Sequence, residues 1–428
     1  MRIFRTLALA TAAGAALSAC VHYEPKPVAP ERFAAGYDAR QLAPLPPGAT
    51  WSDAALLQAA IANSSAVREA ETNYRAARAA AKASRTPPPI TLLLIAEYSR
   101  DAGGTTPWLY NGMATIPLDY GAKRSAVVHA RIQRLAAERE TLLAQQAVQL
   151  RRDRAQKLEL RIRSGEDARP AGITAAVELA AAERRVQDLI NLRVQADAAL
   201  AKALGVPVAA VQPIMLESLP NTVMPPSPQD LAVWRQEASL RRRDVLRAVA
   251  DYDVAEQGLR LEVAKQYPDV QLGPSYTFER GQHKIPFDLT LVLPPRDLNK
   301  ANIQSAEAKR ALAGAKLDTV QAAVLTGVDQ TSAALVGDVA GLDRALNQDL
   351  PLARRADTAA RKALAAGELD RTDQEAAQAA ALDAEITGLD AWRTAWLAVA
   401  DLEDALRRPT PAESAVLEAA VKRAGEPQ

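Results

Sequence analysis

The stretch PDVQLGPSYTFERGQHKIPFDLTLVLP, Pro268–Pro294, decides how this chain is read. Val270, Leu272, Tyr276 and Phe278 fall on one side of an extended chain, with Gln271, Gly273, Ser275 and Thr277 on the other. Its second half repeats the contrast, with Ile285, Phe287, Leu289, Leu291 and Leu293 set against Asp288 and Thr290. Successive side chains of a strand point to opposite faces, so a period of two predicts two strands with one apolar and one wet face. The turn-rich Glu279–Lys284 between them predicts a hairpin. Each strand has about 9–11 residues, the length a tilted strand needs to cross a hydrocarbon layer.

Working outward, the hairpin sits inside a pattern that occurs twice. Before it, helical spacing covers about 229–240 and 244–266, and Pro268 stops the helix. After it, a long helix starts near Asp297, breaks at Gly367 and resumes to Leu406. In the first half, Ser52 is placed to cap a helix reaching Asn63, a second helix runs from Ser65 to about Arg85, and Pro87, Pro88 and Pro89 end it. Alternating apolar runs follow at 90–100 and 108–118, then helix from about Gly121 to Leu204 with a break around 165–172. The predicted organisation is a first repeat over 51–205, a linker over 206–228, a second repeat over 229–408 and a tail over 409–428. The long helices carry apolar residues at spacings of three and four, diluted by alanine and by Gly314, Gly327, Gly337 and Gly341, which favours slim coiled-coil-like packing.

The copies are not equal. Val67 matches Val245 at an offset of 178 and Pro117 matches Pro294 at 177, whereas Gly165 matches Gly367 and Leu204 matches Leu406 at 202. The first copy therefore lacks about 24 residues between Gly121 and Gly165, roughly 36 Å of helix. This predicts a shortened first hairpin over 121–204 beside a long second one over 297–406, and altered docking at the first tip.

Residues 1–19 read as an export signal, with Arg2 and Arg5 ahead of an apolar run from Leu7 to Leu17. Leu17-Ser18-Ala19-Cys20 resembles the bacterial lipobox, which implies lipidation of Cys20, the only cysteine in the chain. Residues 20–50 then read as an extended, proline-rich tether.

The chain has 428 residues, with 52 Lys+Arg against 51 Asp+Glu, so the net charge of +1 offers no basic field for nucleic acid. Three histidines, His22, His129 and His283, are too scattered for a catalytic or metal site, and nothing in the sequence calls for a cofactor. Tyr98, Trp108, Tyr110, Tyr276, Phe278 and Phe287 gather toward the turn ends of the four strand-like runs, as in an aromatic girdle at a membrane interface. A half-buried soluble sheet alternates in the same way, but four matching runs in an exported chain favour lipid. Four strands cannot close a barrel, and open edges are not tolerated in lipid, so the strands must pair between chains. Two chains give a bore filled by side chains, and three give room for a channel.

The order of helices and strand pairs, duplicated behind a lipobox, resembles the outer-membrane efflux proteins, the TolC family. The residues that carry the resemblance are Ser64-Ser65-Ala66-Val67 entering a helix, Pro89-Ile90 and Pro268-Asp269-Val270 entering strands, and Ile116-Pro117-Leu118-Asp119-Tyr120-Gly121 leaving one. Two tips complete it: Arg163-Ser164-Gly165 and Ala365-Ala366-Gly367-Glu368-Leu369. The resemblance implies a mainly α fold with a small β part, in which a homotrimer forms an α-barrel continuous with a twelve-stranded barrel among outer-membrane lipids. It implies the exit duct of a tripartite efflux pump or type I secretion system. A periplasmic adaptor would dock at the tips, and an inner-membrane transporter of RND or ABC type would supply the energy. The duct itself would catalyse nothing. An aperture acid is implied at Asp373, six residues after the second tip glycine; the family's next acid falls on Ala376, with Asp370 and Glu375 close by, and the matching first-tip position is Ala171. The competing expectation is a periplasmic helical lipoprotein that acts as a scaffold without a pore.

Overall fold

The computed structural model describes residues 32–46, 48–83, 120–267, 269–274, 277–279, 282–284, 287–292, 299–408 and 411–425. Cys20, Tyr98, Trp108, Tyr110 and Tyr276, with the expected strands at 90–100 and 108–118, lie outside the described residues. The chain up to Gln41 is a unit of its own. Where an extended tether is expected, it holds a short helix, α1 (Phe33–Asp38), with Phe33 and Tyr37 stacked and Arg40 over both rings.

From Leu42 onward the chain follows the duplicated order. The first repeat contains α2 (Asp53–Asn63), α3 (Ser65–Ala83), α4 (Tyr120–Ser164) and α5 (Arg169–Leu204). A single turn, α6 (Val208–Val211), precedes α7 (Pro228–Arg241) and α8 (Arg243–Ala264) of the second. The strands come next, then α9 (Lys300–Arg344), a π-helical turn (Ala345–Asp349), α10 (Leu350–Ala366) and α11 (Arg371–Leu406). The two repeats open alike: Ser52 accepts from the Ala55 amide at 3.3 Å and Ser227 from the Asp230 amide at 3.1 Å, satisfying donors that a helix start leaves unpaired.

The deciding stretch forms an antiparallel hairpin, but Glu279 and Gln282–Lys284, expected in the turn, lie on strands, and each arm is divided in two. Strands β1 (Asp269–Pro274) and β4 (Phe287–Val292) pair, as do β2 (Thr277–Glu279) and β3 (Gln282–Lys284). The register sets Val270 opposite Leu291 and Leu272 opposite Leu289, with Gln271 opposite Thr290 and Gly273 opposite Asp288. In these four pairs apolar meets apolar and polar meets polar, so Val270, Leu272, Leu289 and Leu291 share one face, while Val292, opposite Asp269, falls on the other. Among the described residues, no helix is long and apolar enough to cross a membrane.

The inequality between the copies lies in the outgoing limb, between Gly121 and Gly165. The outgoing limb of the first repeat, α4, has 45 residues; its counterpart runs unbroken from Lys300 to Ala366 as segments of 45, 5 and 17. The return limbs α5 and α11 have 36 residues each. Arg131, the twelfth residue of α4, already meets Asp53 of α2, whereas α7 meets α9 at Gln321, its twenty-second residue, which donates to the Ser239 carbonyl, and at Asp329, its thirtieth, through Arg235. The first turns of α9 flank α8 instead, through Asn299 to the Glu262 carbonyl at 2.9 Å and Arg310 to Glu256 at 3.2 Å. The first outgoing limb is thus the shorter one, as expected for the stretch between Gly121 and Gly165, and the elements packed against it differ at its strand-side end.

Two sequence segments given no structure turn out to be packed. The linker holds Val206 and Val211 fully buried against Leu56, Leu200 and Leu204, each such side chain contributing about 1.5–3 kcal/mol. Its carbonyls at Val211, Gln212 and Ile214 accept from Arg134 of α4, and Trp392 of α11 donates to the Pro220 carbonyl at 2.8 Å. The tail forms α12 (Pro411–Gly425), which sets Ala420 among Leu57, Ile61 and Val67 and Glu413 against Arg124 at 2.9 Å. Small residues permit a close approach at Gly388, whose added Cβ would lie 3.3 Å from Leu346, but Gly327, Gly337 and Gly341 face open space within one chain.

Candidate functional site at the helical tips

Both hairpins turn with the same local chemistry. Gly165 and Gly367 adopt φ of 80° and 73°, a left-handed conformation that glycine takes without a Cβ penalty. At the first tip the Gly165 amide donates to Ile162 and the Glu166 amide to Arg161; at the second, Gly367 donates to Leu364 and Glu368 to Ala363. This is the Schellman pattern, which satisfies the last carbonyls of the incoming helix. Each return helix begins four residues after its glycine, at Arg169 and Arg371, so the first break is confined to 165–168. Arg163 and Ser164 end α4, Arg163 paired with Glu159 and Ser164 donating to the Arg161 carbonyl, and Glu368 and Leu369 form the second turn.

A ladder of charges then sets the tips side by side. Along α4 and α11 the pairs are Arg124–Glu403 at 2.6 Å, His129–Asp401 at 2.7 Å, Arg151–Asp383, Lys157–Glu375 and Arg161–Asp370. As the first residue number rises the second falls, by 37 positions against 33 from Arg124 to Arg161, so the helices run antiparallel. The end of α4 therefore lies level with the start of α11, although the limb is shorter than its counterpart.

The acids expected at an aperture separate into two kinds. Glu375 is buried, its carboxylate held by Lys157 and 3.5 Å from Arg371. Asp370 is bound by Arg161, which also holds Asp167 at 2.8 Å and donates to Thr372 at 3.4 Å. Asp373 is exposed and makes no ion pair among the described residues. Arg161 thus ties the first tip to the second, and sequence reasoning missed both it and Lys157. The available signal was their four-residue spacing, which sets two cations on one helix face opposite two acids. Across the second hairpin, buried Asp357 binds Arg361 at 2.6 Å and accepts from Gln374 at 3.4 Å, joining α10 to α11.

The chain superposes on solved structures over most of their length. A membrane protein from Pseudomonas aeruginosa superposes with a TM-score of 0.63 at 18% identity, covering 90% of this chain and 99% of that one. The outer membrane protein VceC from Vibrio cholerae gives 0.62 at 16%, covering 82% and 95%. The MtrE outer membrane channel of Neisseria gonorrhoeae gives 0.62 at 20%, covering 83% and 88%. The fold is that of the outer-membrane channels. No family model and no curated protein matches the chain at the level of sequence. Within this channel fold, Phe278 and Phe287 of the expected aromatic girdle lie on β2 and β4.

Proposed function

We propose that the chain is the exit duct of a tripartite export system, an efflux pump or a type I secretion system. Three copies, lipid-anchored in the outer membrane through Cys20, would join their strands into a twelve-stranded barrel and their helices into a periplasmic tube. A periplasmic adaptor and an inner-membrane transporter would complete the path. The observation that carries this reading is the pair of level, like-built tips at the end of a fold shared with outer-membrane channels.

Two further features support it. Ile173 and Val177, and further along α5 Ile190 and Val194, are exposed apolar pairs, and Val336 and Leu352 are exposed on α9 and α10. Such pairs fit contact with neighbouring copies in a closed tube. Leu160 joins Ile173 and Val177 beside the first tip, an apolar surface suited to an adaptor hairpin. The Lys157–Glu375 and Arg161–Asp370 links would hold the closed state, and three exposed Asp373 carboxylates around the aperture would repel anions and attract cations.

Planar-bilayer recording tests the reading. Purified wild type should conduct in small steps, and the K157M/R161M double variant should conduct more by removing both links at once. A protein that runs as a monomer in detergent and conducts in neither form refutes the duct.

A further inference from the structure

Halfway along the helices, Glu140 of α4 is completely buried. Arg185 of α5 lies 3.2 Å from its Oε2 and Arg393 of α11 lies 3.5 Å from its Oε1. The same two arginines hold Asp390 of α11, Arg393 at 2.7 Å and Arg185 in direct contact. Two carboxyls and two guanidiniums thus close a square, in which Glu140 Oε1 accepts no hydrogen bond among the described residues. The square borders a hollow of about 400 Å³ whose wall adds Asp188, Asn191 and Gln195 of α5. Of the elements packed on α4 at this level, α5 presents Arg185 and Asp188, and α11 presents Asp390 and Arg393. Burial, with Asp390 alongside, outweighs the two arginines and raises the Glu140 carboxyl to about 7.

The square also sits beside an irregular backbone. Gly388 of α11, two residues from Asp390, packs on Leu346 inside the π-helical turn, and Pro351 follows at the start of α10. π-turns within long helices interrupt the regular ladder and recur at functional positions. On the adjoining side, Arg139 lies over the Trp392 ring at 4.9 Å.

We propose that the square is a proton-dependent catch between α11 and the first hairpin, closed when Glu140 carries a proton and released when it ionises. With α11 seated, Glu140 is dry and holds its proton tightly; with α11 shifted at the π-turn, water reaches it and it becomes an ordinary carboxyl. A proton that binds one arrangement more tightly favours that arrangement by mass action, so acid seats α11 and a pH above about 7 frees it. The catch does not depend on the chain conducting.

Hydrogen exchange of the full chain in detergent reads the catch directly, after correction for the chemical effect of pH. Peptides over 384–396 and 136–144 should open about tenfold faster or more at pH 8 than at pH 6 in wild type, the two-state response expected of a group whose proton affinity differs between the states. E140Q, a permanently neutral isostere, should show the same slow opening at both values. D390N removes the neighbouring carboxylate and should move the wild-type transition to lower pH. Equal pH responses in wild type and E140Q, or a flat wild type, overturn the proposal. If E140Q does not fold, D390N decides alone, and an unmoved transition overturns it.

Discussion

Replacing Arg134 by methionine tests whether one buried cation fastens the segment between the repeats. Only 2% of its side chain is exposed, and its guanidinium donates to the carbonyls of Val211 at 2.7 Å, Gln212 at 3.1 Å and Ile214 at 3.0 Å. It also bonds Glu138 at 3.1 Å and lies 3.2 Å from Asp197, which is itself buried. Methionine fills much of the same volume but has no donor. Breaking a buried ion pair from one side costs about 3–5 kcal/mol because the other charge stays behind. The three carbonyls lose a strong donor, but water can reach part of them, so an overall loss of about 4–6 kcal/mol is expected. That is comparable with the whole net stability of many folds, about 5–15 kcal/mol.

Urea unfolding in detergent, followed by tryptophan emission, measures the loss, and D197N with the double variant R134M/D197N completes a cycle. The double variant should lose about 1–3 kcal/mol less than the two single losses together, because the stranded carboxylate is gone. The pH response has a definite sign. Burial already raises the Asp197 carboxyl in wild type, against the pull of Arg134 and Arg193. Without Arg134 the carboxyl rises further, and a group that holds its proton more tightly when folded gains stability as pH falls. The R134M deficit should therefore narrow between pH 8 and pH 5. Additive single losses with a deficit independent of pH would falsify the ion-pair account and leave only a packing role.

Two further substitutions separate local effects. G205A should destabilise more than G165A although both glycines have φ near +75°, because a Cβ at Gly205 would lie 3.0 Å from the Asn63 carbonyl oxygen and Ser64 Cα while one at Gly165 meets nothing within 4 Å. Thermal melting should place G165A within about 1–2 kcal/mol of wild type, the usual penalty for a side chain in left-handed backbone, and G205A clearly beyond it. E413A removes the carboxylate that faces Arg124 on α12, which is 1% exposed, and should cost about 3 kcal/mol and speed proteolysis of the C-terminal helix. Unchanged melting and proteolysis would mean that α12 is held only by Ala420 and its apolar neighbours.

Much of the architecture is legible because two different periods follow one another twice. The period of two in Val270–Phe278 fixes which residues share a strand face, and the register that pairs Val270 with Leu291 follows from it. The tips are legible from Gly165 and Gly367, since few residues other than glycine close a helix this way. The linker and the tail are not legible, because what orders them is remote. Arg134 reads as one more polar residue of a long amphipathic helix until the carbonyls of Val211–Ile214 are brought to it from 77 to 80 positions away. The acids expected at an aperture are equally hard to tell apart: Glu375 and Asp370 look alike beside Asp373, and only α4 shows that, among the described residues, Asp373 alone makes no ion pair.

The offset between the copies gives a count of missing turns but not their place within 121–165. Alignment of the repeats states that α4 lacks turns, but a helix with even 3.6-residue packing along its length can lose them from either end without changing the pattern that remains. Partner geometry removes that freedom. Had the loss been at the tip, Arg161 would have met α11 several turns inside its start, and Asp370 would have had no cation. Instead the charge ladder runs from Arg124 to Arg161, while the first described residues of α4 begin beside α2 and α12. The tip-side hairpins are thereby conserved in length between the copies, and the inequality falls where α9 flanks α8 but α4 begins too low to flank α3.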